Sequence, residues 1–413
     1  DDDQVGRLIE GIAARAGAAA RFVMRTEAFF HEVDAWQPTH IAIDLVMPEM
    51  DGVEVLVRLA ERGCGAKIII TSGVGPRVLE AARRSANEHG LAIAGVLPKP
   101  FAPSALRAML VDAPPARVAD GPQVAYSATR GAAAPDPGAL DSEALARALA
   151  NREFEVAYQP QVDCLTGELA GFEALVRWRH AQLGVLAPDR FIAIAEATGH
   201  IAALTEQVLE IATGWFAERF AGGDLTIAVN LSARVTTDEI LGAGGAAAGG
   251  NALVARLNER CRESGLRPDN LVLELTESSA MENPTASLDL LTRLRMKGFQ
   301  LSIDDFGTGY SSMLQLVRLP FSEIKVDKSF VASATRSLES RAVVESIVNL
   351  GQTLGLRVVA EGVEDPATLT FLRDAGCNLA QGYYIAAPMS GEAAHAWIES
   401  DLWRSQRGAM RVV

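Results

Sequence analysis

Polar side chains, most of them acidic, recur after short apolar runs in the second part of the sequence. The set comprises Glu173, Asn230, Glu274, Glu277, Asp304, Asp305, Lys325, Glu361 and Gln381. Enough chain for a helix separates most of these positions, so we expect folding to gather them at one place. Crowded carboxylates repel one another unless cations compensate their charge. Oxygen ligands favour Mg²⁺ or Mn²⁺, and the lack of a histidine in the set disfavours zinc.

A second set of polar residues occupies the first hundred positions and suggests phosphoryl transfer. Three acids, Asp1 to Asp3, open the sequence, and Asp44 follows the apolar run 41–43. Thr71 and Lys99 follow two later apolar runs. Acids that hold a divalent cation could neutralise a phosphoryl donor, which leaves one carboxylate as the acceptor. An ammonium group and a hydroxyl could then hold the phosphoryl oxygens.

Alternating strand-like and helical segments would position this second set. The strand candidates are Ile41–Ile43, Lys67–Ile70 and Ala92–Leu97, and the helix candidates are Val53–Arg62 and Pro76–His89. The alternation predicts an α/β fold, with a doubly wound (βα)5 parallel sheet over residues 1–112 whose first strand is truncated. Such sheets bind ligands at the carboxyl ends of their strands, where we expect all of these residues to lie.

Strand and helix patterns alternate again after a helix predicted at 140–150. The strand candidates are Phe154–Tyr158, Ala170–Val176, Thr226–Leu231, Leu271–Leu275, Gln300–Ile303, Glu323–Val326 and Arg357–Ala360. Repeated β/α units over this length predict a closed (βα)8 TIM-like barrel. Active sites of such barrels lie at the carboxyl-end face, which is where the acidic set would converge.

Two segments break the alternation. Residues 113–139 contain five prolines among Ala, Gly and Ser, which is typical of a linker. We therefore expect a first α/β domain at 1–112, a linker at 113–139 and a barrel at 140–413. The stretch Gly242–Gly250 is low in complexity and predicts a surface loop, to which we assign no function.

The composition restricts the class of protein. Hydrophobic residues make up 49% of the chain and the formal net charge is −14, which disfavours general nucleic-acid binding. The four cysteines form no C-x-x-C pair, so we expect reduced thiols in a cytoplasmic protein. The sequence shows neither an uninterrupted apolar run of about 18 residues nor a signal peptide, so we expect no membrane insertion. Because the sequence opens without a methionine, we expect a few native residues to precede it.

Residues 1–112 resemble the receiver domain of bacterial response regulators. The resemblance rests on the initial acids, Asp44, Thr71 and Lys99 before Pro100. It implies that Asp44 accepts a phosphoryl group from a sensor histidine kinase, and that Asp2 and Asp3 (or Asp1 as a substitute) bind one Mg²⁺ or Mn²⁺ ion. Thr71 would be the switch hydroxyl and Lys99 the phosphoryl-sensing lysine, joined to Pro100 by a cis bond. Val96 stands where many receivers have an aromatic switch residue, which puts the usual coupling in question.

Residues 140–400 resemble the EAL family of cyclic di-GMP phosphodiesterases. The family triplet is present as Glu173-Ala174-Leu175, and further matching strings are Tyr158-Gln159-Pro160, Asp304-Asp305-Phe306-Gly307 and Gln381-Gly382-Tyr383. The resemblance implies two Mg²⁺ or Mn²⁺ ions and hydrolysis of cyclic di-GMP to linear pGpG.

The resemblance also assigns roles to single residues. The metal ligands would be Glu173, Asn230, Glu274 and Asp304 for one ion, and Asp304, Asp305 and Glu361 for the second. The catalytic residues would be Lys325 and Gln381, which orient the attacking water, together with Glu361 and Glu277, the last tying the 304–312 loop to the neighbouring strand end. The substrate contacts would be Gln159, Glu173, Leu175, Arg177 and Asp305.

Other interpretations of these patterns stay open at this point. Each polar residue taken alone could be an ordinary turn residue or solvated charge. The protein could also be a catalytically silent cyclic di-GMP receptor, or a scaffold that acts through its receiver part. No GGDEF-type string and no basic helix-turn-helix occurs, which argues against dinucleotide synthesis and DNA binding. The resemblance implies a homodimer or a higher even-numbered oligomer.

Overall fold

A computed structural model describes residues 3–47, 50–110, 140–232, 246–276, 284–307 and 313–400. The chain divides into two compact units, the first formed mainly by residues 1–141 and the second mainly by residues 142–413. The predicted linker at 113–139 lies outside the described residues. Within the described residues, no helix is long and apolar enough to cross a membrane. All four cysteines are free thiols, as predicted.

The first unit is an α/β layer built on a parallel sheet. Its helices are α1 (Asp3–Arg15), α2 (Thr26–Trp36), α3 (Gly52–Glu61), α4 (Pro76–Glu88) and α5 (Pro103–Leu110), and its strands are β1 (His40–Asp44), β2 (Lys67–Ser72) and β3 (Ile93–Pro98). The strands pair in the order β1-β2-β3, all parallel. A buried cluster of Ile12, Ile69, Leu97 and Leu106 holds α1 and α5 on the sheet. The α/β class and the receiver-like sheet are therefore confirmed, with three strands among the described residues.

The N-terminal acids do not follow a strand in the described residues. Asp3 lies in the first turn of α1, where its carboxylate accepts a hydrogen bond of 2.9 Å from Arg7 Nε. An acidic side chain in this position is favoured by the helix dipole. Asp1 and Asp2 lie outside the described residues.

The second unit is a closed barrel with helices outside it. Its helices are α6 (Ser142–Ala150), α7 (Ile192–Ala197), α8 (Ile201–Phe220), α9 (Ala246–Ser264), α10 (Pro284–Met296), α11 (Met313–Arg318), α12 (Lys328–Val331), α13 (Leu338–Leu354), α14 (Pro366–Asp374) and α15 (Gly391–Glu399). Its strands are β4 (Phe154–Asp163), β5 (Leu169–His180), β6 (Gly184–Leu186), β7 (Thr226–Asn230), β8 (Leu271–Thr276), β9 (Gln300–Phe306), β10 (Glu323–Val326), β11 (Arg357–Ala360) and β12 (Leu379–Ala380). These elements confirm the barrel expected from the sequence.

Eight of these strands close the barrel, because β4 pairs with both β5 and β12. The ninth strand, β6, extends β5 as a hairpin. β4 runs antiparallel to both of its neighbours, whereas the strands from β5 and β7 through β12 are parallel. A short turn from Asp163 to Leu169 joins β4 to β5, and so short a connection permits only antiparallel pairing.

The low-complexity stretch Gly242–Gly250 is partly helical, so the prediction of a loop was wrong for residues 246–250. Helix α9 begins at Ala246 and continues through the buried side chains Val254, Leu257 and Cys261. Alanine has the highest helix propensity, and the buried face of this helix packs against the neighbouring helices α8 and α10. Residues 242–245 lie outside the described part of the chain.

Candidate active site

The strand order of the barrel brings the acidic set together. Glu173 lies on β5, Asn230 on β7, Glu274 on β8, Asp304 and Asp305 on β9, and Lys325 on β10, while Glu361 follows β11 and Gln381 follows β12. Cα partners in neighbouring strands include Asn230 with Glu274 and Thr276 with Asp304. Glu277 lies outside the described residues, as do residues 308–312 of the loop after Asp305.

The ammonium group of Lys325 lies at the centre of four carboxylates. Its Nζ is 2.6 Å from Glu361 Oε1, 2.9 Å from Glu274 Oε2, and 3.3 Å from an oxygen of Glu173 and of Asp304. The Lys325 side chain is 1% exposed. One positive charge therefore faces four acidic groups where water cannot screen them.

Burial and mutual repulsion separate the acids by their pKa values. Burial would raise the pKa of Glu173, but Lys325 and a hydrogen bond from Gln381 outweigh it and hold this pKa below the usual value. Burial, with Glu173 beside it, raises the pKa of Glu274 well above the usual value. Burial likewise raises the pKa of Glu361 to about 8, against the opposing effect of Lys325. The cluster therefore carries more negative potential than one lysine neutralises.

The pKa of Lys325 is raised well above its usual value. Burial alone would lower this pKa, but Glu173, Glu274, Glu361 and Asp304 all favour the charged form. Lys325 is thus a permanent internal cation, and further compensation must come from protons or bound cations.

The oxygen atoms of the cluster fit divalent cations. One carboxylate oxygen from each of Asp304, Asp305 and Glu361 lies within 4.8 Å of the others. Glu274 Oε1 is buried and has no hydrogen-bond partner among the described residues, so a ligand position is open there. The amide nitrogen of Asn230 donates to Glu173 and Glu274, at 3.1 and 3.3 Å, so the Asn230 amide group lies beside both carboxylates. Carboxylate and amide oxygens are the ligands that Mg²⁺ and Mn²⁺ prefer.

An irregular end of β9 allows two consecutive aspartates to reach the same site. Side chains normally alternate between the two faces of a strand. Asp305 adopts a left-handed backbone with φ of 54°, and the register between β9 and β10 shifts beside it. Strained backbone of this kind persists where the surrounding structure enforces it, often at functional sites.

The sequence reasoning missed Asp327. It is buried, 8% exposed, and its carboxylate caps the N-terminus of α12 by accepting from Ser329 N. Burial, Asp304 and then Asp327 raise the pKa of Asp305, so Asp327 adds a further acid beside the cluster. The signal was its position two residues after Lys325, at the end of the same strand.

The predicted substrate-contacting residues have different surroundings. Gln159 is buried, and its amide donates to Ala386 O at 3.0 Å. Leu175 and Arg177 are partly exposed on β5, and Arg177 Nη1 donates to Val176 O. Substrate contact by these three residues stays a prediction.

The first unit gathers a smaller site at the ends of its three strands. Lys99 Nζ lies 2.5 Å from Asp44 Oδ2, and Thr71 Oγ1 donates to Ile43 O at 3.3 Å. Asp44, Thr71 and Lys99 all line a cavity of about 880 Å³. The predicted cis bond between Lys99 and Pro100 is confirmed. Of the predicted phosphoryl-handling set, the structure thus brings Asp44, Thr71 and Lys99 together.

Each of the two units matches a known family. The first unit pairs a lysine with an aspartate at the strand ends, and the second is a barrel lined with acids. The chain belongs to the EAL domain family, whose model matches residues 142–388. The model of the response regulator receiver domain matches residues 1–111. Both family resemblances inferred from the sequence are confirmed.

Individual relatives extend this assignment. The chain is 35% identical over 346 residues to the cyclic di-GMP phosphodiesterase RocR of Pseudomonas aeruginosa, covering 84% of this chain and 83% of RocR. It is 43% identical over 250 residues to the bifunctional diguanylate cyclase/cyclic di-GMP phosphodiesterase MucR of the same organism, but spans only 35% of that protein. The chain likewise spans only 30% of the cyclic di-GMP phosphodiesterase NbdA of Pseudomonas aeruginosa, to which it is 41% identical.

A solved structure resembles the barrel. It is the MucR phosphodiesterase in complex with c-di-GMP, which is 41% identical with a TM-score of 0.56 and covers 61% of this chain and 98% of that chain.

Proposed function

We propose that this protein hydrolyses cyclic di-GMP to linear pGpG with the help of two divalent cations, Mg²⁺ or Mn²⁺. The observation that carries the proposal is the set of four carboxylates around Lys325, which one ammonium group cannot neutralise. Support also comes from RocR, which aligns with 84% of this chain over 83% of its own length and is named as a cyclic di-GMP phosphodiesterase. A phosphodiester substrate is anionic, so it too requires cations in so acidic a site.

The residues divide into two ligand sets that share one aspartate. Glu173, Asn230, Glu274 and Asp304 would hold one ion, and Asp304, Asp305 and Glu361 the other. Two cations held by these residues would lower the pKa of water and would stabilise charge on the attacking and leaving oxygens. Attack by water on phosphorus breaks one P–O ester bond and opens the ring.

Lys325 and Gln381 complete the arrangement. The buried ammonium group of Lys325 offsets charge on the carboxylates and can stabilise a developing phosphoryl charge. The Gln381 amide hydrogen-bonds Glu173 at 2.6 Å, so it holds this carboxylate in place. We propose that Lys325 and Gln381 orient the attacking water and that Glu277 anchors the loop that follows Asp305.

A turnover assay tests the proposal. Purified protein is incubated with cyclic di-GMP and Mg²⁺ or Mn²⁺, and pGpG is measured by chromatography. We expect pGpG to form, and the Glu173→Ala variant to lose turnover with its metal ligand. Binding without turnover under either metal would refute hydrolysis and support a receptor, and absence of binding would support a scaffold. Full activity of Glu173→Ala would refute the ligand assignment.

We further propose that phosphorylation of Asp44 by a sensor histidine kinase regulates the barrel, with one Mg²⁺ or Mn²⁺ in the receiver. Support comes from the contact between Lys99 and Asp44. Rates of pGpG formation are compared with and without acetyl phosphate, in wild type and Asp44→Asn. A rate change confined to wild type is expected, and identical rates throughout would reject regulation.

We also propose that the domain limits are 1–112, 113–139 and 140–413. We propose in addition that the chain forms an even-numbered oligomer. Light scattering of the purified chain tests the oligomer, and a monomer would contradict it.

A further inference from the structure

A chain of three buried glutamine side chains ends on the metal-ligand candidate Glu173. Gln161 Nε2 donates to Gln381 Oε1 at 2.9 Å. Gln381 Nε2 then donates to Glu173 Oε2 at 2.6 Å and to Gln159 Oε1 at 2.9 Å. Exposure of the three glutamines and of Glu173 is at most 7%. The network is therefore shielded from water, and its hydrogen bonds have few alternatives.

Two hydrogen-bond acceptors, the Glu173 carboxylate and the backbone carbonyl of Ala386, determine the orientation of the amide groups in this network. A carboxylate oxygen accepts hydrogen bonds, so Gln381 presents its NH₂ group to Glu173. The carbonyl oxygen of Gln381 consequently faces Gln161, which must supply an NH₂ group. The backbone carbonyl of Ala386 turns Gln159 in the same consistent way, with its own carbonyl oxygen toward Gln381.

We propose that Gln161 is a positioning residue for the reaction: it fixes the orientation of the Gln381 amide and, through it, the Glu173 carboxylate. The inference rests on the proposed function for the role of Glu173, and it adds a residue that acts through Gln381.

The physical reason is that Gln161 makes one orientation of Gln381 much better than the other. With Gln161 present, a flipped Gln381 would place two NH₂ groups together and aim its carbonyl oxygen at a carboxylate. Without a donor at position 161, Gln381 Oε1 is buried without its partner, and the preference for the productive orientation weakens. Glu173 Oε2 then loses a fixed donor, while Glu173 Oε1 still faces Asn230 and Lys325. Outer hydrogen bonds of this kind orient metal ligands.

The test is a double-mutant cycle with Gln161→Met, Gln381→Met and the double variant. Methionine keeps the length of glutamine and removes the donor. Gln352→Met is the control, because Gln352 lies on the outer helix α13 and its amide donates to a carbonyl oxygen outside the network, that of the Gly376 backbone. Affinity for Mn²⁺ alone is measured by calorimetry, and kcat and KM for cyclic di-GMP by pGpG formation.

We expect Gln161→Met to weaken Mn²⁺ binding about tenfold and to lower kcat by a similar factor, with KM changed less than twofold. The double variant should match Gln381→Met alone, because Gln161 acts only through Gln381. The control should equal wild type. Unchanged Mn²⁺ affinity in Gln161→Met, or losses that multiply in the double variant, would overturn the proposal.

A second variant and a second readout cover the cases in which the first measurement fails. If Gln161→Met does not fold, Gln161→Leu also removes the donor, adds no ionisable group and should lower kcat at least as much. Wild-type kcat in this variant would overturn the proposal. If wild type binds Mn²⁺ but forms no pGpG, the proposed function fails, and the Mn²⁺ affinities of the cycle still decide the role of Gln161.

Discussion

Replacing Lys325 with methionine removes the only ammonium group in contact with the four carboxylates of the described site. Its Nζ lies 2.6 to 3.3 Å from them, and all four would keep their positions without a buried cation. Breaking a buried ion pair by removing one partner costs about 3–5 kcal/mol. For a domain of this size, the melting temperature of the metal-free barrel should fall by roughly 6–20 °C.

The pH dependence of this loss has a definite sign. In the native protein the pKa of Glu361 is about 8, above its usual value, so between these values the folded state binds more protons than the unfolded state. The free energy of unfolding therefore decreases as pH rises through this window. Lys325 opposes the shift, so its removal raises the pKa of Glu361 further and extends the decrease to higher pH. The deficit of Lys325→Met relative to wild type should be larger at pH 9 than at pH 6.

Thermal unfolding in EDTA at both pH values measures the effect. Tryptophan fluorescence reports mainly on the barrel, because four of the five tryptophans follow residue 140. Lys328→Met is the control, since Lys328 is exposed three residues away and should change stability by no more than about 0.5 kcal/mol. Mn²⁺ should restore much of the lost stability, because it supplies positive charge to the same carboxylates. Equal melting temperatures of Lys325→Met and wild type at pH 9 in EDTA would refute the reasoning.

Two other perturbations follow from the same site. Metal binding must displace the proton held by Glu361, whose pKa is about 8. Mn²⁺ affinity should therefore rise up to about tenfold per pH unit between pH 6 and 8. Calorimetry in buffers of different ionisation enthalpy measures the released proton, and an Mn²⁺ affinity that does not change with pH would contradict the pKa shift. Gly382→Ala should destabilise the barrel by about 1–3 kcal/mol and lower turnover, because the added Cβ would lie 2.2 Å from backbone atoms of Val363 beside Gln381. Gly214→Ala on helix α8 is the matched control, because a Cβ added there would have no atom within 4 Å. Denaturant unfolding and the pGpG assay compare the two variants. Equal stability of both would show that the contact at Gly382 relaxes freely.

Local patterns in the sequence were sufficient to identify the strands and the acids that end them. The strand Glu323–Val326 has the predicted bounds, and Asp44 ends β1 as expected from the apolar run before it. The carboxyl-end rule for parallel sheets then predicts that such residues meet. Both steps depend on residues close together in the chain, which is why a single sequence supports them.

Pairings between distant residues were decided only by the tertiary structure. The contact of Gln161 with Gln381 joins residues 220 positions apart, and no local pattern reports which strands close the barrel. The same holds for Lys325, which a sequence shows as one charge among many but which folding surrounds with four carboxylates. Residue type and periodicity were therefore enough to predict which side chains reach the barrel face, because the direction of a side chain along a strand depends on local backbone geometry. The partner of each side chain depended on strand register and burial, which exist only once the barrel has closed.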